Sequence, residues 1–436
     1  MRRTKEYATL LWTVLAATHL WAQEGFRPLF NGRDLSGWVN VNGAPETWTV
    51  REGMIVCSGV PKSVLRTDRM YQNFILELEW RHVQQGGNAG LFLFADGLPA
   101  VGGPYPRCIE VQIRDGNPGD IFPLRGAGMC PWSLPPEGRV RSVPSENLVR
   151  PAGQWNHYRV EARDGVVTLA VNGKVVNRAY HVIPRKGYIC LEAEGSEVHF
   201  RNLRIRELPG ADPPPEVVAR DGEGFVSLYN GVDLRGWRVA PGSEGHWRPK
   251  DWILAYDGKS EAQGDGRHLW TEEEFGDFLL MVDWRLPGEV RMDSVPVILP
   301  DGSTLRDAAG GEVRVPIADA GDSGIYLRGS SKAQVNIWNW PVGSGEIWGY
   351  RTDPEMPACV RQGATPIQAA DNAIGEWNRF VITVRGSRVW VELNGKPVIC
   401  GVELPGLPAR GRIGLQHHGD PIEFANLFIK RLDGVK

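Results

Sequence analysis

The chain has 436 residues, enough for two or three domains of roughly 100–200 residues that each bury a core. Its 49 Lys and Arg nearly cancel its 52 Asp and Glu, leaving −3, which argues against a nucleic-acid binder with a basic face. With 42% hydrophobic and 23% charged residues it is no disordered chain, and 53 Gly and 32 Pro without a period-three repeat mean turns between strands.

Residues 1–22 read as a secretory signal. Arg2, Arg3 and Lys5 supply the positive start, residues 8–21 are almost wholly apolar, and Ala22 precedes the polar Gln23-Glu24. The mature protein is therefore expected to be exported, to the periplasm or the outside, with no membrane span. Six Cys in so long a chain are not a disulfide framework, and without CxxC spacing they do not read as a zinc site. One or two bridges within halves stay open.

From residue 25 onwards the chain contains itself twice. Gly25-Phe26, Leu29, Asn31-Gly32, Asp34-Leu35 and Gly37-Trp38 recur as Gly224-Phe225, Leu228, Asn230-Gly231, Asp233-Leu234 and Gly236-Trp237. Trp48 recurs as Trp247. Residues 74–81 match 278–285, and Gly87-Asn88-Ala89-Gly90 matches Gly321-Asp322-Ser323-Gly324 after an insertion around 287–320. Trp155-Asn156 matches Trp377-Asn378, and Asn172-Gly173-Lys174 matches Asn394-Gly395-Lys396. Copies at 25–208 and 224–432 thus flank a proline-rich linker, 209–223.

Each copy reads as all-β. In residues 74–81, Phe74, Leu76, Leu78 and Trp80 alternate with Ile75, Glu77, Glu79 and Arg81, the pattern of a half-buried antiparallel strand. Asp164-Gly165 and Asn172-Gly173 are hairpin turns between apolar runs. No stretch sustains a helical apolar period. Many short strands at regular spacing imply a sandwich.

Together these motifs resemble the 3-keto-disaccharide hydrolase domain family. The resemblance lies in Phe26 to Trp38, Glu79-Trp80-Arg81, Gly87 to Gly90, Glu110-Val111-Gln112-Ile113, Gly153 to Asn156, Asn172 to Lys174 and Leu415 to Gly419. It implies two tandem concanavalin-like jelly-roll β-sandwiches. It also implies exported enzymes that act on glycosides oxidised to a ketone at C3, with a carbohydrate site on one sheet.

The strand around Glu110 is the most informative for chemistry. Period two places Glu110, Gln112 and Arg114 on one face, with Glu110 and Gln112 about 7 Å apart. A carboxylate beside an amide suits hydroxyl-rich sugars, and the carboxylate can act as a base. The second copy has Gln334 and Asn336 there, amides without the acid. Near the other end the bias reverses: Leu415-Gln416-His417-His418-Gly419 faces Leu191-Glu192-Ala193-Glu194-Gly195. Copy one thus carries three candidate carboxylates, Glu110, Glu192 and Glu194. Copy two offers His418, and Asp322 where the family has Asn. His417 and His418 are adjacent on a strand and point to opposite faces, against both binding one ion. A bound divalent ion stays open, and no cofactor is expected. Trp338, Trp340 and Trp348 fall outside the repeated pairs and are the sugar-stacking candidates.

A C3 ketone acidifies the C2 proton, so a base can remove it and expel the C1 substituent, after which water adds. In copy one Glu110 reads as the base, Arg81, Asn88 and Gln112 as binding groups, and Glu192 or Glu194 as the acid. In copy two His418 or Asp322 would be the base, with Arg328, Gln334, Asn336, Trp338, Gln416 and His417 binding sugar. The second copy keeps more of the motif, which tips a small balance towards it. One rival is a retaining glucanase, but Glu110-x-Gln112-x-x-Asp115 keeps only the outline of its paired carboxylates. The other is a pair of non-catalytic carbohydrate-binding modules.

Overall fold

The computed structural model describes residues 25–433, so the signal segment read from residues 1–22 lies outside the described residues. Two compact units emerge. Residues 25–98 with 105–221 form one, and residues 99–104 with 222–433 the other.

Each unit is a concanavalin-like jelly-roll sandwich of two antiparallel sheets, nine and six strands in the first unit and eight and five in the second, counted among the described residues. The first unit's core joins both sheets: Phe74, Leu76, Leu78 and Trp80 meet Leu65, Leu91, Ile109 and Leu191. The strand Phe74–His82 points those apolar residues inward as its alternation predicts. On its opposite face Ile75 and Glu77 are buried too, Glu77 accepting from Arg204 Nε at 2.8 Å, while the half-buried Glu79 accepts from Arg201 Nε at 2.6 Å.

The hairpins form where the turn residues demand them. Asp164 and Gly165 have φ of 50° and 83°, Asn172 and Gly173 of 48° and 94°, the left-handed pair of a tight two-residue turn. The repeated opening motif is a structural brace. Asn31 Oδ1 accepts the N–H groups of Arg33 and Asp34, and Trp38 Nε1 donates to the Leu29 carbonyl at 3.1 Å. Asn230 and Trp237 repeat those bonds in the second unit.

Three of the four Trp pairs are core: Trp38/Trp237, Trp48/Trp247 and Trp80/Trp284 are all buried. Trp155 and Trp377 differ. They are half-buried, with Arg201 3.9 Å from the Trp155 ring and Arg285 4.7 Å from that of Trp377. All six cysteines are free thiols. The insertion after residue 286 is a two-stranded hairpin, Arg291–Pro296 against Arg314–Asp319. Among the described residues no helix is long and apolar enough to cross a membrane.

Candidate active site

The six-stranded sheet of the first unit sets the site by its strand order. Gly90–Ala95 lies between Tyr188–Ala193 and Cys108–Gln112, and Ile121–Leu124 closes that edge. Register places Gly90 opposite Gln112 and Phe92 opposite Glu110, with Leu191 opposite Leu91 on the other side. Glu110 and Glu192 therefore rise from the two strands that flank Gly90. A Cβ on Gly90 would lie 2.7 Å from Glu192 Oε2 and 2.9 Å from Glu110 Oε1. The two carboxyl groups converge over a residue with no side chain.

Around them stand the remaining polar groups. Asn88 Nδ2 donates to Glu194 Oε2 at 2.5 Å, and Gln112 Oε1 accepts the Ile113 N–H at 2.9 Å, which leaves the Gln112 amide protons for a ligand. Tyr105 packs edge-on against Phe92 and donates to the Ala193 carbonyl at 3.0 Å. These residues line an open cleft of about 580 Å³. Glu110 and Glu192 are buried at its base, and Glu192 Oε2 has no hydrogen-bond partner.

Burial raises all three acids. The Glu110 carboxyl is pushed up to about 8, first by desolvation and then by the Glu194 charge. Glu192 is raised well above the usual carboxylate range by burial, then by Glu110 and Glu194. Glu194 is raised by burial as well. The cluster holds protons near neutral pH and can present a carboxylate base beside a neutral acid. The same shifts tie stability to pH. An acid whose pKa is higher folded than unfolded contributes fully below the unfolded value of 4.5, and the contribution is lost as pH rises through about 8 for Glu110. Glu192→Gln should therefore melt several degrees above the parent at about pH 9, the advantage vanishing near pH 4. Circular dichroism melts across that range would show it. An advantage of equal size at both ends would refute the assignment.

The second unit rebuilds the same positions with other chemistry. Gly324 pairs with Asn336, Tyr326 with Gln334 and Ile325 with Leu415, so Gln334, Asn336 and Gln416 stand where Glu110, Gln112 and Glu192 stand in the first. Gln334 Nε2 donates to Asn336 Oδ1 at 2.5 Å and to Gln416 Oε1 at 2.8 Å, an amide cluster in which Asn336 Nδ2 has no partner among the described residues. Asp322 occupies the Asn88 position and His418 that of Glu194. Burial raises Asp322 to about 7, opposed by the nearby His418. Asp420 links the two, accepting the Asp322 N–H at 3.1 Å and contacting His418 Nδ1 at 3.2 Å.

The family model for a 3-keto-alpha-glucoside-1,2-lyase-like domain matches residues 25–206 and again 224–430. The chain belongs to that family, in tandem. A 3-keto-disaccharide hydrolase of Bacteroides thetaiotaomicron is 23% identical over 234 residues, 42% of this chain and 79% of the relative. Among solved structures, a provisional glycosyl hydrolase of Parabacteroides distasonis is 25% identical, covering 42% of this chain and 94% of its own at a TM-score of 0.34. The carbohydrate-binding module CBM66 of Bacillus subtilis is 15% identical, covering 38% and 94% at a TM-score of 0.30.

Four expected site residues of this tandem lyase-like chain lie elsewhere. Arg81 belongs to the nine-stranded sheet and packs over the Trp155 ring at 4.7 Å, so it is not among the groups around Glu110. Arg328 is buried as a brace, paired with Asp277 at 2.8 Å and donating to the Gly276, Gly386 and Pro408 carbonyls. Trp338 is buried, stacked on Trp340 at 4.0 Å, with its indole N–H bonded to the Gly343 carbonyl. It offers no open face. His417 turns to the Tyr256 ring and contacts the Ser260 carbonyl through Nε2 at 2.9 Å. Among the stacking candidates only Trp348 is exposed, on the short helix Trp348–Arg351.

Sequence reasoning missed Tyr105, Phe122, Arg125 and Arg139, which line the cleft from segments outside the motifs matched between the two copies. Gly90 was visible as a motif glycine. Its role was not, because it depends on which two strands flank it.

Proposed function

We propose that the chain is an exported enzyme that cleaves 3-keto glycosides, and that the first copy does the chemistry. The observation that carries this reading is the convergence of Glu110 and Glu192 over Gly90 in an open cleft. Ionised Glu110 takes the proton from C2, and the electron pair passes to the C3 oxygen as an enolate, held by the Gln112 amide protons. The enolate collapses to an enone as the C1–O bond breaks, and neutral Glu192 gives its proton to the departing oxygen. Water then adds across C1 and C2 to complete hydrolysis. Glu194, nearest to Asn88, keeps the Glu110 proton equilibrium high through its charge.

The second copy has amides at the positions of Glu110 and Glu192, which give and take no proton at neutral pH. Asp322→Asn and His418→Ala should accordingly leave aglycone release in place. Full loss of release in either variant would move the chemistry to the second copy.

The decisive assay is incubation of the full chain with a nitrophenyl 3-keto-glucoside and its unoxidised parent. Release from the keto form alone is the expected result, and none from either removes the reading. The pH dependence carries a sign. A base must be ionised, so kcat/KM should climb as pH rises towards about 8, the Glu110 value, rather than through the usual carboxylate range. Glu194→Gln removes a like charge and should move that rising limb down; an unmoved limb would show that Glu194 does not act on the base.

A further inference from the structure

The wall that closes the acid cleft is a full strand in the first unit and, among the described residues, a single bridge, Val335 to Ile347, in the second. The first unit's sheet has a sixth strand, Ile121–Leu124, beyond Cys108–Gln112, whereas the second unit's sheet ends at Ser330–Ile337. That strand and the segment after it bring Phe122, Arg125 and Arg139 to the cleft, and Arg114 follows Gln112 into it. In the second unit the Arg114 position is Trp338, which is buried.

These arginines differ from their neighbours in what they bind. Arg141, on the same wall, is committed to Asp120 at 2.7 Å, and Arg107 to Asp96 at 2.9 Å. Arg114, Arg125 and Arg139 are exposed and have no ion-pair partner among the described residues. Arg139 sits 5.2 Å from the Phe122 ring, and among the described residues its guanidinium makes one hydrogen bond, a long one of 3.4 Å to the Pro123 carbonyl. A guanidinium beside an aromatic ring and without a carboxylate partner keeps N–H groups for an oxyanion, which guanidinium groups can recognise bidentately. The charges of Arg139 and Arg114 reach Glu110 and Glu194 without pairing with them. Among the described residues none of the three forms a salt bridge with the acids of the cleft, and they outnumber Glu194, the least buried of those acids.

We infer that this rim selects glycosides bearing an oxyanion group, a carboxylate or a sulfate, which Arg114, Arg125 and Arg139 hold while the sugar lies over Gly90. The inference rests on the cleft taking glycosides, as proposed above, and names the class. Planar and tetrahedral oxyanions share the chemistry that two or three guanidinium groups recognise. A neutral glycoside gains nothing from the rim.

Binding of unoxidised probes tests this apart from turnover. Phenyl β-glucoside, its para-carboxylate and its para-sulfonate are titrated calorimetrically into the full chain at low salt. The charged probes should bind about tenfold more tightly than the neutral one, and the gap should narrow at roughly 0.5 M salt. Preference for one charged probe over the other supports the inference and tells a planar group from a tetrahedral one. The triple variant Arg114→Gln, Arg125→Gln, Arg139→Gln changes only exposed side chains and should make all three probes equal. Equal affinities in the parent, absence of binding by every probe, or an anion preference that survives the triple variant would each overturn the inference. A clear anion preference without cleavage of any 3-keto glycoside leaves the rim assignment standing and removes the proposed reaction instead.

Discussion

Glu110→Gln is expected to leave the chain folded and to cut aglycone release from a 3-keto glucoside by ~10²–10⁴-fold, the usual contribution of a positioned base. The amide has the size of the acid and cannot accept the C2 proton. Folding should not suffer, because Glu110 is an acid raised to about 8 by burial, and a neutral amide costs less to bury than the charged form. Substrate affinity should stay near that of the parent, so the loss should appear in kcat rather than KM. Steady-state rates beside a far-ultraviolet dichroism spectrum decide the matter. A folded Glu110→Gln with unreduced kcat would mean that another group takes the proton.

Gly90→Ala is the second large effect, and it acts through position alone. The added methyl would come within 2.7 Å of Glu192 Oε2, 2.9 Å of Glu110 Oε1 and 3.0 Å of Phe92 Cε1. Carboxylates at the ends of flexible side chains can move aside, so the fold should survive with a cost of about 1–2 kcal/mol. The acid pair would be spread by close to an ångström, and displacements of that size typically cost ~10²-fold in rate. Gly324→Ala is the matched control: its methyl would meet Gln334 Nε2 at 2.6 Å, in the copy without the acid pair. If Gly324→Ala slows release as much as Gly90→Ala does, the second copy shares the chemistry. Rates and melting temperatures of both variants separate the cases.

Much of the fold was legible because its signals are local. Asp164-Gly165 and Asn172-Gly173 turn the chain through backbone angles that other residue types rarely adopt, whatever surrounds them. The alternation in residues 74–81 names the core face from the period of a strand alone. The repeat then carried both readings across the second half, so that Asn394-Gly395 turns as Asn172-Gly173 does. The same alternation placed Glu110 and Gln112 together on one face, and the cleft lies there.

What the sequence by itself determined was therefore the all-β class, the duplication, and which side of its own strand each polar residue takes. Only the tertiary structure decided which strands become neighbours. Arg81 and Glu110 both stand on polar strand faces, yet they belong to different sheets, a difference no spacing along the chain records. Arg328 and Trp338 look like ligands for sugar until packing buries the one against Asp277 and the other against Trp340. Glu110 and Glu192 are eighty-two positions apart and meet only because Gly90–Ala95 pairs with a strand on each side. Period and turn chemistry act within a few residues, whereas strand order is set by burying two whole sheets against each other, and the site is a product of that order.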